Sequence, residues 1–102
     1  MTEFHLLIDD LRALEMDQIA RTGEAGLRAL RSSPVTHLYM DHDLGDDTTD
    51  GYRVLMQALE EGICPPNVFL VTSNPVGRQN MVAALENHGY QRSGSWYHRV
   101  SR

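Results

Sequence analysis

The chain has 102 residues and a formal net charge of −5, with 41% hydrophobic and 23% charged residues. This length and composition predict one globular domain over residues 1–102 with a single hydrophobic core. The acidic balance argues against a nucleic-acid polymer as the main partner, because such proteins usually carry a basic patch. All nine Lys and Arg residues are arginines, so a mechanism that needs a side-chain ammonium group is excluded.

The apolar runs and the cysteine content indicate the cellular location of the protein. The longest apolar runs are the length of strands, so no membrane association is expected. Cys64 is the single cysteine and cannot form an internal disulfide. We therefore expect a cytoplasmic protein in which Cys64 is a buried, inert thiol.

The first part of the chain predicts two strands joined by an abbreviated connection. The apolar run 4–8 is typical of a strand covered on both faces, and it stops at Asp9 and Asp10. Too few residues separate it from the short apolar run 18–20 for a full crossover helix. Thr22 is the expected N-cap of the helix that follows.

An apolar strand over residues 36–40 leads into a loop rich in aspartate, and a helix with Gly62 as its C-cap follows that loop. Such a loop is often only solvated, and Asp46 and Asp47 fit that description. A calcium-binding EF-hand is excluded, because its required Gly and Glu positions fall on Asp46 and Tyr52.

The last part of the chain predicts another strand and helix. The run 68–71 is fully apolar and ends at Thr72. Asn74 suits a helix N-cap and Pro75 the first helical position. Residues 90–100 predict a last strand, or a hairpin turning at Ser93 and Gly94.

Alternation of strands and helices predicts an α/β fold, a parallel sheet with helices on both faces. In such sheets the ligand site lies beyond the carboxyl ends of the strands. Three strands of this chain end there in polar residues whose side chains can bind a ligand or take part in catalysis. These are Asp9 and Asp10, Asp41 and Asp43, and Thr72 and Ser73.

With these residues the sequence resembles a response-regulator receiver domain. Asp9–Asp10 matches its acid pair, Asp41 its phospho-accepting aspartate, Asp50–Gly51 its Asp-Gly and Thr72 its hydroxyl residue. The resemblance implies a single-domain, three-layer, doubly wound parallel sheet of the flavodoxin type with strand order 2-1-3-4-5. The receiver lysine has no counterpart here.

The sequence is more similar to a divergent branch, the cyclic-phosphate processing receiver domains. Three blocks carry this resemblance: residues 9–12 (Asp-Asp-Leu-Arg), residues 38–45 with Asp-His-Asp-Leu-Gly, and residues 73–78 (Ser-Asn-Pro-Val-Gly-Arg). It implies a shortened first connection and an activity on cyclic phosphates.

Acids at this edge of the sheet predict a Mg²⁺ site with Asp9, Asp10 and Asp41 as ligands. Asp43 is an alternative to Asp41 as the key acid, because alternation places both on one face of an extended segment. We therefore assign catalytic roles to Asp41, Asp43 and Thr72. His42, between the two acids, is expected to be structural.

A phosphate group would need positive or N–H donors, and the start of the last helix supplies both. Without lysine, an arginine must provide the charge, with Arg78 the first choice and Arg12 the second. The predicted phosphate-binding residues are Arg12, Ser73, Asn74, Gly77 and Arg78.

The favoured function is Mg²⁺-dependent hydrolysis or phosphoryl transfer on a small or cyclic phosphate ester, with Asp41 or a water molecule as the attacking group. A phospho-accepting signalling receiver and a non-catalytic module that binds phosphate or a partner are the alternatives. The expected partner is a small phosphate-containing ligand.

Overall fold

The protein is described by a computed structural model that covers residues 2–45 and 49–100. In chain order, these residues form β1 (His5–Ile8), β2 (Gln18–Ala20), α1 (Gly23–Ser32), β3 (His37–Met40), α2 (Gly51–Glu61), β4 (Asn67–Leu70), α3 (Pro75–Asn87), β5 (Tyr90–Ser93) and β6 (Trp96–Arg99). The predicted α/β class is therefore found.

The helix ends follow local sequence signals. Thr22 caps α1 by accepting a hydrogen bond from the N–H of Ala25 at 3.1 Å. Asn74 caps α3 in the same way, and Pro75 occupies its first turn. Gly62 ends α2 with a φ of +73°, a left-handed conformation that glycine adopts at little cost. These predicted boundaries are confirmed.

The six strands form one mixed sheet of order β2-β1-β3-β4-β6-β5. The first four run parallel, whereas β6 pairs antiparallel with β4 and with β5. The predicted sheet, parallel throughout in the order 2-1-3-4-5, is therefore wrong at this end. The alternative prediction for residues 90–100, a hairpin turning at Ser93 and Gly94, is confirmed. The reason is the short segment after α3, which turns at Gly94 with a φ of +63° and returns beside β4 as a hairpin.

All three helices cover the same face of the sheet, so the prediction of three layers is also wrong. Their buried residues and one side of the strands form a single core cluster. The strand residues on this side are Leu6, Ile8, Leu38, Met40, Val68, Leu70 and Tyr97. A right-handed β1-to-β2 crossover would carry a helix to the other face, but the connection over residues 9–17 contains none.

The opposite side of the sheet, called here the open face, has no helix over it in residues 2–45 and 49–100. It carries partly exposed rings whose centroids lie 4.5–6.5 Å from their neighbours. These rings belong to His5, His37, Tyr39, Phe69, Trp96 and His98. The open face therefore carries mainly aromatic and imidazole side chains, with the buried Leu7 beside Tyr39 as an aliphatic member.

The structure tests two predictions, the burial of Cys64 and the lack of a membrane-spanning segment. Cys64 is buried, as predicted, and burial raises the pKa of its thiol to about 11. In the described ranges, every helix is too short or too polar to cross a membrane.

Tyr90 anchors the terminal hairpin to the rest of the fold. Its side chain is 3% exposed, and its hydroxyl donates a hydrogen bond to the carbonyl of Pro65 at 2.6 Å, with the carbonyl of Cys64 at 3.2 Å. These two carbonyls belong to the turn between α2 and β4. The hydroxyl therefore ties β5 to a turn that precedes it by about 25 residues.

We expect Tyr90→Phe to lower the free energy of unfolding by about 1–3 kcal/mol, because it leaves the carbonyl oxygen of Pro65 without its donor, whereas that of Cys64 keeps the Arg99 guanidinium. Urea denaturation followed by circular dichroism would measure the change. Tyr52→Phe is the matched control, since the Tyr52 hydroxyl forms no hydrogen bond among the described residues. Equal stability of the two variants would contradict the anchoring role of Tyr90.

Candidate functional site

Parallel pairing of β1 and β3 brings the predicted acids together at the carboxyl edge of the sheet. Ile8 and Met40 are register partners, so Asp9 and Asp41 follow paired positions. The N–H of Asp41 donates to the carbonyl of Ile8 at 3.1 Å and continues that pairing. Oxygen atoms of Asp9, Asp10 and Asp41 all lie within 4.8 Å of one another. These three carboxylates are called here the acid cluster.

The three carboxylates differ in burial and in hydrogen bonding. Asp9 is 1% exposed and Asp41 is 6% exposed. Asp9 Oδ1 accepts hydrogen bonds from the N–H groups of Leu11 and Arg12 at 3.0 and 3.2 Å. Asp10 is partly exposed and has no hydrogen bond among the described residues. Of the three carboxylates, that of Asp10 is therefore the most accessible to a ligand.

The side chain of Arg12 supplies the counter-charge of the acid cluster. Its Nη1 lies 2.7 Å from Asp9 Oδ2 and 3.2 Å from Asp41 Oδ2, so one guanidinium bridges both acids. Burial raises the pKa of Asp9, but the hydrogen bonds from the Arg12 side chain and from two backbone N–H groups outweigh it. The net effect is a pKa of Asp9 below its usual value.

Arg21 holds the loop that carries these groups, a role that the sequence did not reveal. Its Nη1 donates to the carbonyl of Arg12 at 2.6 Å and to that of Asp9 at 3.3 Å. Arg21 follows β2, the edge strand beside β1. A lone arginine after a short strand carries no local signal for this contact, which depends on the pairing of β1 with β2.

Asp43 lies outside the acid cluster. Its carboxylate is exposed and pairs with His42 Nδ1 at 3.0 Å, which lowers the pKa of Asp43. The chain leaves β3 at Met40, so strand alternation no longer relates Asp43 to Asp41. The catalytic role assigned to Asp43 stays a prediction, and geometry favours Asp41 as the acid that joins Asp9 and Asp10.

His42 connects the acidic loop to the start of α3. A Cβ atom at Gly77 would collide with the His42 ring, so glycine at this position lets the ring pack against the helix. The same ring lies 3.5 Å from the side-chain amide of Asn74. His42 thus has packing contacts of the kind expected for a structural residue.

The start of α3 offers fewer free donors than the sequence indicates. Pro75 has no N–H, and the N–H groups of Gly77 and Arg78 already donate to the side chain and the carbonyl of Asn74. Val76 therefore has the remaining N–H of the first turn. The phosphate-binding roles of Asn74 and Gly77 stay predictions.

Thr72 and Arg78 are joined at the end of β4. Thr72 is 4% exposed, and its hydroxyl oxygen accepts a hydrogen bond from the N–H of Asn74 at 3.0 Å. The Arg78 guanidinium donates to the carbonyls of Leu70 and Thr72 at 2.9 and 3.3 Å. Ser73 is exposed. The proposed roles of Thr72, Ser73 and Arg78 toward phosphate remain predictions.

Two glycines allow close approach around the acid cluster. A Cβ atom at Gly51 would overlap the carbonyl oxygen of Asp41, so only glycine lets α2 begin at this point. Gly45, with a φ of +66°, faces the carboxylate of Asp10. Asp50 caps α2 by accepting a hydrogen bond from the N–H of Arg53 at 2.9 Å. The predicted loop acids Asp46 and Asp47 lie outside the described residues.

The donor set of the acid cluster fits a hard divalent cation. Mg²⁺ prefers oxygen ligands and commonly uses one or two protein carboxylates together with water and phosphate oxygens. Three carboxylates within 4.8 Å meet that requirement. Any such cation must compete with the Arg12 guanidinium for Asp9 and Asp41.

We expect Arg12→Ala to lower the free energy of unfolding at neutral pH by about 1–2 kcal/mol, less than for a buried pair because the Arg12 side chain is 40% exposed. The pKa of Asp9 is lowered in the folded state, so its stabilisation is present above an unfolded pKa of about 3.9. It is lost as the pH falls through the folded-state pKa. The difference between parent and variant should therefore shrink as the pH falls below about 3.9, the unfolded value.

Urea denaturation at several pH values would measure this difference. Arg28→Ala, a change on the exposed side of α1, is the matched control. A stability difference for Arg12→Ala that is the same at neutral and acid pH would contradict the pairing with Asp9.

Comparison with known proteins places the fold and the acid cluster in a family. Residues 4–87, which are 84 of the 102 residues, match the family described as Cyclic-phosphate processing Receiver domain. The match ends with α3, so the hairpin β5–β6 lies beyond it. A search of the curated proteins finds no match. Because the family match covers most of the chain and includes Asp9, Asp10, Asp41 and Thr72, the chain belongs to the cyclic-phosphate processing receiver domains.

Proposed function

We propose that this chain binds Mg²⁺ at the acid cluster and hydrolyses a small cyclic phosphate ester there. The observation that carries the proposal is the convergence of Asp9, Asp10 and Asp41 within 4.8 Å in a receiver-like domain linked to cyclic-phosphate processing. Three acids at one point need a counter-charge, since two carboxylates about 4 Å apart repel by roughly 4 kcal/mol at an effective dielectric near 20. A divalent cation and a phosphate ligand together meet that need.

Asp9, Asp10 and Asp41 would hold the cation, because each offers a carboxylate oxygen at the acid cluster. Asp10 would be the first carboxylate to contact an arriving cation, because it is partly exposed and has no hydrogen bond among the described residues. When bound, Mg²⁺ supplies positive charge that polarises a phosphoryl oxygen. Asp9 keeps its two backbone N–H donors throughout, so its orientation does not depend on Arg12.

Arg12 changes partner in this proposal. Its guanidinium lies within ion-pair distance of both Asp9 and Asp41. A cation at the same carboxylates would release it, and its partly exposed side chain then reaches a phosphate beside the cluster. Guanidinium binds phosphate through two parallel hydrogen bonds. We therefore favour Arg12 over Arg78, whose guanidinium already donates to the carbonyls of Leu70 and Thr72.

The proposed reaction is the opening of a cyclic phosphodiester by water. Water attacks phosphorus and one ring P–O bond breaks. The attacking water loses a proton and the leaving oxygen gains one, so the net addition of one water gives a phosphomonoester with a free hydroxyl. Thr72 can donate its hydroxyl hydrogen to a phosphoryl oxygen, because its oxygen already accepts from the N–H of Asn74. Attack by Asp41 itself would instead give a covalent acyl-phosphate.

Mg²⁺ should raise the melting temperature of the parent, because a ligand that binds only the folded state stabilises it by mass action. Asp10→Asn should abolish this increment, since it removes one charged ligand. Asp43→Asn should leave it intact, because Asp43 lies outside the acid cluster. Differential scanning fluorimetry with increasing MgCl₂ would measure the increments. An increment lost in Asp43→Asn and kept in Asp10→Asn would put the ion elsewhere.

Turnover is tested with a panel of five- and six-membered cyclic phosphodiesters, followed by ³¹P nuclear magnetic resonance with and without Mg²⁺. We expect a phosphomonoester product that depends on Mg²⁺ and is lost in Asp41→Asn. Arg12→Ala should weaken binding of a phosphate ligand by about ten- to hundredfold, the value of a hydrogen bond to a charged group. Arg78→Ala should weaken it less.

The same experiment separates the alternatives. A hydroxylamine-sensitive adduct on Asp41 without product would favour a phospho-accepting receiver. Saturable binding with no adduct and no product would favour a binding module. Either result would contradict the hydrolytic function, and equal phosphate affinity in the parent and Arg12→Ala would contradict the role of Arg12.

A further inference from the structure

We propose that Glu3, His5 and His37 form a second metal site, which binds a divalent transition-metal ion of the Zn²⁺ class at the edge of the open face. Among the described residues, these three side chains offer one ligand atom each within 4.8 Å of one another. The inference is independent of the proposed function, because the acid cluster contributes no residue to it.

The sheet itself fixes the two imidazole rings side by side. His5 and His37 are register partners on β1 and β3, the parallel pair that also positions the acid cluster. Their rings stack with centroids 4.5 Å apart and an interplanar angle of 13°. The N–H of His37 donates to the carbonyl of Phe4 at 3.1 Å, which extends the pairing beyond β1. The backbone thus presents two neighbouring imidazoles without a flexible loop.

Hydrogen bonds at the other ring nitrogen favour metal binding through Nε2. His5 Nδ1 lies 3.0 Å from the hydroxyl of Tyr39, and His37 Nδ1 lies 2.8 Å from the hydroxyl of Thr36. With a metal bound, a proton on Nδ1 would donate to each of these oxygens, and His5 Nε2 would give up the proton that it donates to Glu3 Oε1. Histidine ligands in metal sites usually donate their second ring N–H in this way.

Glu3 completes the site on its exposed side. Its Oε1 lies 2.9 Å from His5 Nε2, so the carboxylate already faces the nitrogen that would bind the metal. The Glu3 side chain is 67% exposed and can adjust. Ligands of a tetrahedral ion with bonds of 2.0–2.2 Å lie about 3.4 Å apart, so closure needs side-chain shifts on the order of 1 Å. Because an imidazole nitrogen binds a metal in the plane of its ring, closure also needs at least one of the two stacked rings to rotate about its Cβ–Cγ bond.

The ligand types indicate a different metal from that of the acid cluster. Imidazole nitrogen suits Zn²⁺, Cu²⁺ and Ni²⁺, whereas Mg²⁺ prefers an all-oxygen environment. Asp9 follows the far end of β1 from His5, and four strand residues span roughly 13 Å. The two sites are therefore separate in position as well as in chemistry.

The test is a titration of untagged protein with ZnCl₂ by calorimetry, in a non-chelating buffer with excess Mg²⁺. We expect one saturable ion per chain. His37→Gln and His5→Gln should weaken binding by more than about tenfold, since even outer-shell changes at metal sites cost 10–100-fold. Glu3→Gln, at an exposed position that does not threaten folding, should also weaken it.

His88→Gln is the matched control and should bind Zn²⁺ like the parent. His88 lies at the end of α3, where its Nδ1 contacts the carbonyl of Ala84 at 2.9 Å. With Co²⁺ in place of Zn²⁺, the parent should show visible d–d absorption that His37→Gln lacks. Absence of Zn²⁺ binding, or parental affinity in both His5→Gln and His37→Gln, would overturn the proposal.

Discussion

Parallel pairing of β1 with β3 is the constraint on which the rest of the site depends. It places Asp9 and Asp41 side by side at the carboxyl edge, where their charges repel, and it does so with both side chains almost fully buried. The fold meets this with one guanidinium, from Arg12, and with backbone N–H donors to Asp9. Arg21 and Gly51 are then needed to hold the loop and to let α2 approach.

Much of the fold was predictable where the signals are local. Apolar runs that stop at Asp9, Asp41 and Thr72 mark the strand ends, and Thr22 and Asn74 mark helix starts through their side-chain oxygens. Because parallel strands end at one edge, the meeting of the acids also follows from the sequence. These features depend on neighbours in the chain or on a single topological rule.

The rest depends on contacts between distant segments, which periodicity does not encode. The apolar runs of β1 and β3 predict burial on both faces, yet His5, His37 and Tyr39 mark a face without helices. The sequence predicts the short connection after β1. It does not indicate that, without a helix in this connection, one face of the sheet has no helical layer. Likewise, the spacing of Asp9 and Arg12 permits an ion pair, but only the tertiary fold adds Asp41 to it.

The hairpin and the short first connection have a consequence for how this sheet can meet other molecules. Its two edge strands are β2, with three residues, and β5, in which Gln91, Arg92 and Ser93 are exposed and polar. Short and charged edges disfavour pairing with a strand from another chain. On the open face, the backbone groups of the inner strands already bond within the sheet. A molecule that met that face would therefore contact side chains, mainly aromatic and imidazole rings, rather than main-chain hydrogen-bonding groups.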